Sequence, residues 1–157
     1  MSLVFKDITR VYFIGIGGIG MSALARYFNS RDFEVAGYDK TRTPLTDTLA
    51  SKGINITYDE GTGAIPKGFE AADTLVVYTP AIPDAHPQLN FFIAGGYQIH
   101  KRAVVLGMIT RDSRSLAVAG THGKTTTSAI LGHLLASCEL PVTAFLGGIA
   151  ENYDSNY

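Results

Sequence analysis

Residues 120–127 read G-T-H-G-K-T-T-T and follow an apolar run. Glycines in such a loop let backbone N–H groups face phosphate oxygens, and Lys124 adds a point charge for the β- and γ-phosphates. Thr125 follows the lysine, where a hydroxyl ligates Mg²⁺ in phosphate-binding loops. The usual spacing has a glycine five positions before the Gly-Lys pair, and Val118 stands there instead. The remaining features predict a site for a nucleoside triphosphate.

His122 lies inside this loop. Its position and polar surroundings suit two roles equally, a solvent-facing residue or a donor to a phosphate or nearby acyl group. The other histidines, His86, His100 and His133, share no metal-ligand spacing and are interpreted as ordinary surface or core residues.

A second glycine-rich turn lies near the N-terminus, where Gly15, Gly17 and Gly20 match G-x-G-x-x-G between strand and helix patterns. Such glycines let the backbone approach a diphosphate, and the following helix offers unpaired N–H groups. Asp39 ends the next predicted strand, 19 residues beyond Gly20, and would accept a hydrogen bond from a ribose hydroxyl or a base N–H. NAD, FAD and UDP-sugars all carry a diphosphate, so the nucleotide stays open. A plain turn that packs helix against strand is the alternative.

The elements that position these loops alternate between strand and helix through about residue 110. Strands are predicted at residues 11–14, 33–39, 54–58, 74–80 and 97–100. Helices are predicted after the first glycine turn and at residues 43–51, 87–94 and about 103–109. This alternation is the signature of a doubly wound parallel sheet, a Rossmann-like α/β fold.

A polar stretch at residues 110–115, T-R-D-S-R-S, indicates a domain boundary. Beyond it, strands are predicted at residues 116–120 and 141–148 and a helix at residues 124–136. We therefore predict a Rossmann-like domain in residues 1–110 and the start of a phosphate-loop ATPase domain in residues 111–157. A single β-α-β unit cannot bury both faces of its sheet, so the second domain is expected to be incomplete.

Composition narrows the class of protein. With 46% apolar and 17% charged residues, the chain is expected to be globular. A net charge of −1 without a long basic block gives no support for nucleic-acid binding. The single cysteine, Cys138, is expected to be a small buried hydrophobe. The N-terminus lacks a signal-peptide pattern and its apolar run is too short for a bilayer, so we expect a cytoplasmic protein without a membrane partner.

The two loops, in this order and at this distance, resemble the Mur ligase family. The matching stretches are G-I-G-G-I-G-M-S-A-L-A at 15–25, Y-T-P-A-I at 78–82 and A-V-A-G-T-H-G-K-T-T-T-S-A at 117–129. The combination is typical of members that add L-alanine, and the ligase that recycles murein tripeptide is the alternative within the family. Outside it, the alternatives are an NAD(P)-dependent oxidoreductase, which leaves the second loop unexplained, and a non-catalytic nucleotide-binding module.

The resemblance implies an ADP-forming ligase of peptidoglycan precursor synthesis. ATP, with Mg²⁺, would convert the muramoyl carboxylate of UDP-N-acetylmuramate into an acyl phosphate, which L-alanine then attacks. The family has a UDP-binding domain, a central ATPase domain and a C-terminal domain, of which the chain matches the first and the opening of the second. The 157-residue chain alone is expected to bind the UDP substrate without making ADP.

The resemblance also assigns roles to residues of this chain. ATP binding is implied for Gly120, Thr121, His122, Gly123, Lys124, Thr125 and Thr126. Lys124 and Thr125 are implied to be catalytic, with Thr125 as the Mg²⁺ ligand. Binding of the UDP substrate is implied for Gly15, Gly17, Gly18, Ile19, Gly20, Met21, Ser22, Asp39, Thr79, Ala81 and Ile82. Arg102 is interpreted as a surface residue, with a phosphate contact as the alternative.

Overall fold

A computed structural model describes residues 5–111, 113–151, 153 and 155–157 of the chain. Its strands are β1 (Arg10–Ile14), β2 (Glu34–Tyr38), β3 (Asn55–Thr57), β4 (Thr74–Tyr78) and β5 (Gln98–Lys101). Its helices are α1 (Ile19–Asn29), α2 (Pro44–Ser51), α3 (Pro87–Ala94), α4 (Arg102–Arg111) and α5 (Lys124–Ser137), with a 3₁₀ turn at Thr62–Ala64. Residues 1–4 of the first predicted domain and residues 112, 152 and 154 of the second lie outside the described residues.

The strands form one parallel sheet in the order β3-β2-β1-β4-β5. This order confirms the predicted doubly wound α/β fold. The chain moves outward from β1 through β2 to β3, then returns to the other side of β1 for β4 and β5. The loops after β1 and β4 therefore diverge at the carboxyl edge of the sheet. Open α/β sheets bind their ligands in the crevice at such a switch point.

The sheet is buried on both faces, as a parallel sheet requires. Phe13 of β1 joins the cluster formed with α1, α2 and α4, while Tyr12 joins a cluster on the opposite face with α3. Phe92 of α3 packs against Tyr12 with the ring centroids 5.0 Å apart. Burial on both faces explains why the central strands read as continuous apolar runs. These packed layers hold the ends of the strands, and hence the glycine turn, in fixed positions.

The second half of the chain departs from the prediction. Residues 116–120 and 141–148 form no strand, and Leu116 is 69% exposed. Helix α5 is confirmed, but it buries none of its side chains, and Cys138 at its end is exposed where burial was predicted. A strand needs a row of backbone hydrogen bonds to a neighbour. Among the described residues, 116–120 make none, and 141–148 make a single one, from the Leu146 N–H to the Asn156 carbonyl at 3.0 Å. The predicted boundary at residue 110 stays a prediction.

Within the described residues, no helix is long and apolar enough to cross a membrane.

Candidate nucleotide-binding sites

The first glycine turn joins β1 to α1 at the carboxyl edge of the sheet. Gly15 has a φ of 87°, in the left-handed region that favours glycine. The N–H groups of Gly15 and Ile16 both donate to the carbonyl of Tyr38, at 2.8 and 3.0 Å. The turn is therefore tied to the end of β2 before α1 begins.

Asp39 helps to hold this turn. Its Oδ2 accepts the N–H of Gly17 at 2.7 Å and its Oδ1 accepts the N–H of Thr41 at 3.1 Å. A Cβ built on Gly17 would lie 2.8 Å from Oδ2, so the close approach requires glycine. Contact of Asp39 with uridine stays a prediction, and the structure adds a positioning role for the carboxylate.

Backbone N–H groups at the start of α1 form the polar surface of the turn. Gly18 is the N-cap, with extended backbone angles and no capping side chain. The N–H groups of Met21 and Ser22 donate to the Gly18 carbonyl at 3.0 and 2.8 Å. Those of Ile19 and Gly20 have no acceptor in the part of the chain that the structure describes. They lie at the positive end of the helix dipole, where an anion is favoured.

Two residues predicted to bind the UDP substrate point away from this surface. Met21 is 1% exposed within the core, and Ser22 is fully buried. The Ser22 hydroxyl donates to the Ile19 carbonyl at 2.9 Å. Neither side chain reaches the surface of the turn, so the structure gives both residues packing roles and no support for the predicted contact.

Arg102, the first residue of α4, lies directly beside the turn. A Cβ built on Gly20 would lie 2.8 Å from Nη1 and 3.2 Å from Cζ of Arg102. Among the described residues, no carboxylate forms an ion pair with this guanidinium. Its charge therefore adds to the dipole of α1. Arg102 is half-buried here, and the predicted alternative, a phosphate contact, stays a prediction. Its position directly after β5, at the same edge of the sheet, was a usable signal for this placement.

The loop after β4 reaches the same crevice. The Ile82 N–H donates to the Thr79 carbonyl at 3.1 Å, which closes a turn. Ile82 Cδ1 would lie 3.4 Å from a Cβ built on Gly15, so the loops after β1 and β4 touch. Thr79 is half-buried and Ala81 is exposed. The structure thus brings these residues beside the glycine turn, and their contact with a substrate stays a prediction.

The second glycine loop leads into α5. Gly120 and Gly123 have φ angles of 146° and 74°, which favour glycine. The N–H groups of Lys124, Thr125 and Thr126 find no acceptor among the described residues, and the loop is solvent-exposed. Three free N–H groups at a helix N-terminus suit an anion, and phosphate binding by this loop stays a prediction.

Lys124 folds back over its own loop. Its Nζ donates to the carbonyls of Gly120 and Thr121 at 2.5 and 3.0 Å. The ammonium group is thus held by two carbonyls of its own loop. His122 is exposed, which suits both of its predicted roles equally.

A cavity of about 340 Å³ lies beside the first turn. Gly20 and Arg102 line one wall, and residues 145–147 line the other. A Cβ built on Gly147 would lie 3.1 Å from Thr125 Oγ1, so this second wall rests on the loop that begins α5. The first predicted phosphate site therefore lines this cavity, and the wall formed by residues 145–147 links it to the second site.

Thr125 offers one oxygen to a metal ion. No group of three His, Cys, Asp or Glu residues that could hold a metal is found within the described residues. A single hydroxyl fits Mg²⁺, because this ion is usually held by few protein oxygens together with phosphate oxygens and water.

His86, at the N-cap of α3, is buried with both ring nitrogens unpaired among the described residues. Its ring lies 4.9 Å from that of Tyr38, the residue whose carbonyl holds the glycine turn. Burial lowers the pKa of His86, and the Glu60 carboxylate partly opposes this shift. Sequence spacing gave no sign of this burial.

We expect the free energy of unfolding to fall as the pH drops below about 6.5, the ordinary pKa of histidine. The pKa of His86 is lower in the folded state than in the unfolded chain. As the pH falls, the unfolded chain therefore binds a proton first, and the free energy of unfolding decreases until the pH is below the folded-state pKa. In His86→Phe, which keeps a ring against Tyr38, this part of the pH dependence should vanish. Urea unfolding at about pH 7.5 and about pH 5.5 measures it. Equal pH dependence in both proteins would contradict the assignment.

The doubly wound sheet carries a glycine-rich turn at its switch point, and a second glycine-rich loop begins α5. Residues 10–114 match the sequence model described as "Mur ligase family, catalytic domain", and the chain belongs to the Mur ligase family.

Several curated relatives carry one name. The chain is 57% identical over 151 residues to a UDP-N-acetylmuramate–L-alanine ligase of Flavobacterium johnsoniae, which covers 96% of this chain and 34% of the relative. It is 55% identical over 148 residues to the ligase of the same name from Porphyromonas gingivalis, covering 94% of this chain and 32% of the relative. The chain thus spans about a third of the length of these relatives.

Solved structures agree on the fold. The structure of UDP-N-acetylmuramate-alanine ligase from Thermotoga maritima matches with a TM-score of 0.83 at 33% identity, covering 94% of this chain and 34% of that one. The UDP-N-acetylmuramate:L-alanyl-γ-D-glutamyl-meso-diaminopimelate ligase of Neisseria meningitides matches with a TM-score of 0.82 at 26% identity, covering 95% of this chain and 46% of that one.

Proposed function

We propose that this chain forms the UDP-N-acetylmuramate site and the phosphate-binding loop of an ATP-dependent ligase. The reaction joins L-alanine to the muramoyl carboxylate through an acyl phosphate, in peptidoglycan precursor synthesis. The names of the relatives at 57% and 55% identity support this substrate pair. The term full-length enzyme denotes a protein that contains this chain and has the length of the relatives.

The first turn is proposed to bind the diphosphate of the UDP substrate. The free N–H groups of Ile19 and Gly20 and the guanidinium of Arg102 supply the positive surface that this group needs. The loop after β4 lies against Gly15 and closes the crevice from the side. Asp39 holds Gly17 in place.

The second loop is proposed to bind the β- and γ-phosphates of ATP. Lys124 would release the carbonyls of Gly120 and Thr121 and turn its ammonium group to the phosphates. Thr125 would hold Mg²⁺, which neutralises phosphate charge when bound. The amine of L-alanine needs a carboxylate converted to a better electrophile, and the γ-phosphoryl group supplies the leaving group.

The observation that carries the proposal is the cavity beside the first cradle, whose opposite wall contacts the second cradle. It is lined by Gly20 and Arg102 on one side and by the segment resting on Thr125 on the other. With the diphosphate of UDP-N-acetylmuramate at the first turn, the muramoyl carboxylate of the same molecule would lie toward the γ-phosphate of ATP at the second loop. Such an arrangement replaces a bimolecular encounter by a held geometry.

Gly18→Val tests the first cradle. A Cβ at Gly18 would lie 3.6 Å from the Gly15 carbonyl and 3.8 Å from Met21 Cγ, so the fold accepts it without a clash. The branched side chain would nevertheless stand where the backbone meets the diphosphate. We expect the affinity for UDP-N-acetylmuramate to fall at least about tenfold, ~1.4 kcal/mol, in calorimetry, with little change in melting temperature.

Gly63→Val is the matched control, because a Cβ there meets no atom within 4 Å and Gly63 lies in the 3₁₀ turn. It should bind the UDP substrate like the wild type. Unchanged affinity of Gly18→Val for UDP-N-acetylmuramate would show that the first turn does not bind this substrate.

A further inference from the structure

The described residues 145–151, 153 and 155–157, here the bridging segment, contact both cradles. At one end, Cβ atoms built on Gly147 and Gly148 would lie 3.1 Å from Oγ1 and 3.4 Å from Cγ2 of Thr125. The segment then folds back on itself, since the N–H of Leu146 donates to the carbonyl of Asn156 at 3.0 Å. At its other end it packs on α1, the helix that begins at the first turn.

Asn156 makes the contact with the start of α1. Its side chain is fully buried, and Nδ2 donates to the Ile19 carbonyl at 2.5 Å and to Ser22 Oγ at 2.9 Å. The Ile19 carbonyl and the Gly20 N–H belong to one planar peptide group. A hydrogen bond that fixes the carbonyl therefore also fixes the direction of the Gly20 N–H, one of the two free donors at the first turn.

The rest of the bridging segment is held farther along α1. Ser155 Oγ accepts from Arg26 at 3.2 Å, and Tyr157 OH accepts from Arg31 at 2.8 Å. Phe145 packs against Tyr27 with centroids 5.5 Å apart. These contacts dock the segment without touching the first turn, so the contact of Asn156 is separable from them.

The packing of Asn156 against α1 leaves buried polar atoms without partners, so stability alone does not explain it. Asn156 Oδ1 and Arg26 Nε are buried and have no partner among the described residues. Unpaired buried groups are rare because each costs free energy that apolar packing would avoid. A directional role for the amide group of Asn156 accounts for its presence.

We infer that Asn156 is a positioning residue that couples the two cradles, by linking the segment on Thr125 to the peptide group between Ile19 and Gly20. Occupation of the second loop is thereby transmitted to the orientation of a donor at the first. The inference rests on the proposed function, in which the first turn takes the diphosphate and the second loop takes ATP.

The test measures coupling in the full-length enzyme. Calorimetry gives the Kd of UDP-N-acetylmuramate without and with a saturating non-hydrolysable Mg-ATP analogue. The ratio of the two Kd values is expected to be at least about fivefold in the wild type. In Asn156→Asp, which keeps the shape of the side chain but replaces the donor, the ratio should approach one. Tyr157→Phe, which removes only the hydroxyl contacts with Ser30 and Arg31, should keep the wild-type ratio.

A wild-type ratio of one, or a wild-type ratio in Asn156→Asp, would overturn the inference. Should Asn156→Asp fail to fold, Ser22→Ala is the second variant, because it removes one acceptor of Asn156 Nδ2. Its ratio of Kd values is expected to lie between one and the wild-type ratio. An unchanged ratio in Ser22→Ala would also overturn the inference.

Failure of the proposed function is recognised separately, as absence of UDP-N-acetylmuramate binding by the wild type. Hydrogen exchange of the backbone amides then tests whether Asn156 holds the first turn of α1. Faster exchange at the first turn of α1 in Asn156→Asp than in Tyr157→Phe supports the contact, and equal exchange overturns it.

Discussion

Lys124→Ala is expected to reduce alanine-dependent ADP release by the full-length enzyme at least about 1,000-fold, ~4 kcal/mol of activation free energy. The ammonium group of Lys124 is the positive side chain of the second loop, and its bonds to the carbonyls of Gly120 and Thr121 show that it can reach the mouth of the nest. Without it, the charge on the transferring phosphoryl oxygens loses a preorganised partner. Initial rates of ADP formation measure the loss.

The same variant should bind UDP-N-acetylmuramate with wild-type affinity, because Lys124 does not line the cavity beside the first turn. Lys124→Arg should also fail, since a planar guanidinium does not replace a compact ammonium group inside a tight loop. Lys67→Ala, at an exposed site before β4, is the matched control and should keep full activity. Wild-type turnover by Lys124→Ala would show that the second loop is not the ATP site.

Arg102→Met is expected to weaken binding of UDP-N-acetylmuramate about 10- to 100-fold. Methionine keeps an apolar stem against Gly20 but removes the guanidinium beside the start of α1. Charge-assisted hydrogen bonds to a ligand of this kind contribute ~1.5–3 kcal/mol, which sets the expected range. Calorimetry at low and high salt measures it, and the salt dependence of binding should also decrease in the variant.

Binding of uridine, which lacks the diphosphate, shows whether the affinity is lost at the diphosphate or at the base. Arg102→Met should bind uridine like the wild type, because Arg102 is proposed to contact only the diphosphate. Lys101→Met changes the exposed neighbouring cation and should leave UDP-substrate binding unchanged. An equal loss for uridine, or no loss for the UDP substrate, would contradict the placement of the diphosphate beside Arg102.

The sequence predicted those parts of the molecule that local patterns determine. The apolar run before Gly15 and the alternation of strands and helices were enough to predict the doubly wound parallel sheet. The start of α5 after Gly123 was predicted for the same reason, because a glycine loop and a helical pattern are both local.

Features that depend on distant partners were not predictable in this way. Residues 116–120 have the composition of a buried strand, yet a strand forms only beside a neighbour, and the described residues offer none. Asn156 lies far from the first turn along the chain, and no pattern in the sequence indicates that folding brings it to Ile19. The burial of His86 against Tyr38 is likewise a result of tertiary packing, which spacing does not encode.

The most direct test of the two-cradle account is ADP release by the full-length enzyme with UDP-N-acetylmuramate and Mg-ATP, with and without L-alanine. We predict that ADP forms in step with the amide product, only when all three substrates are present, and that murein tripeptide does not replace L-alanine. Thermal-shift measurements should show stabilisation by UDP-N-acetylmuramate and none by NADH. Absence of alanine-dependent ADP, with NADH raising the melting temperature, would contradict the account and favour an oxidoreductase.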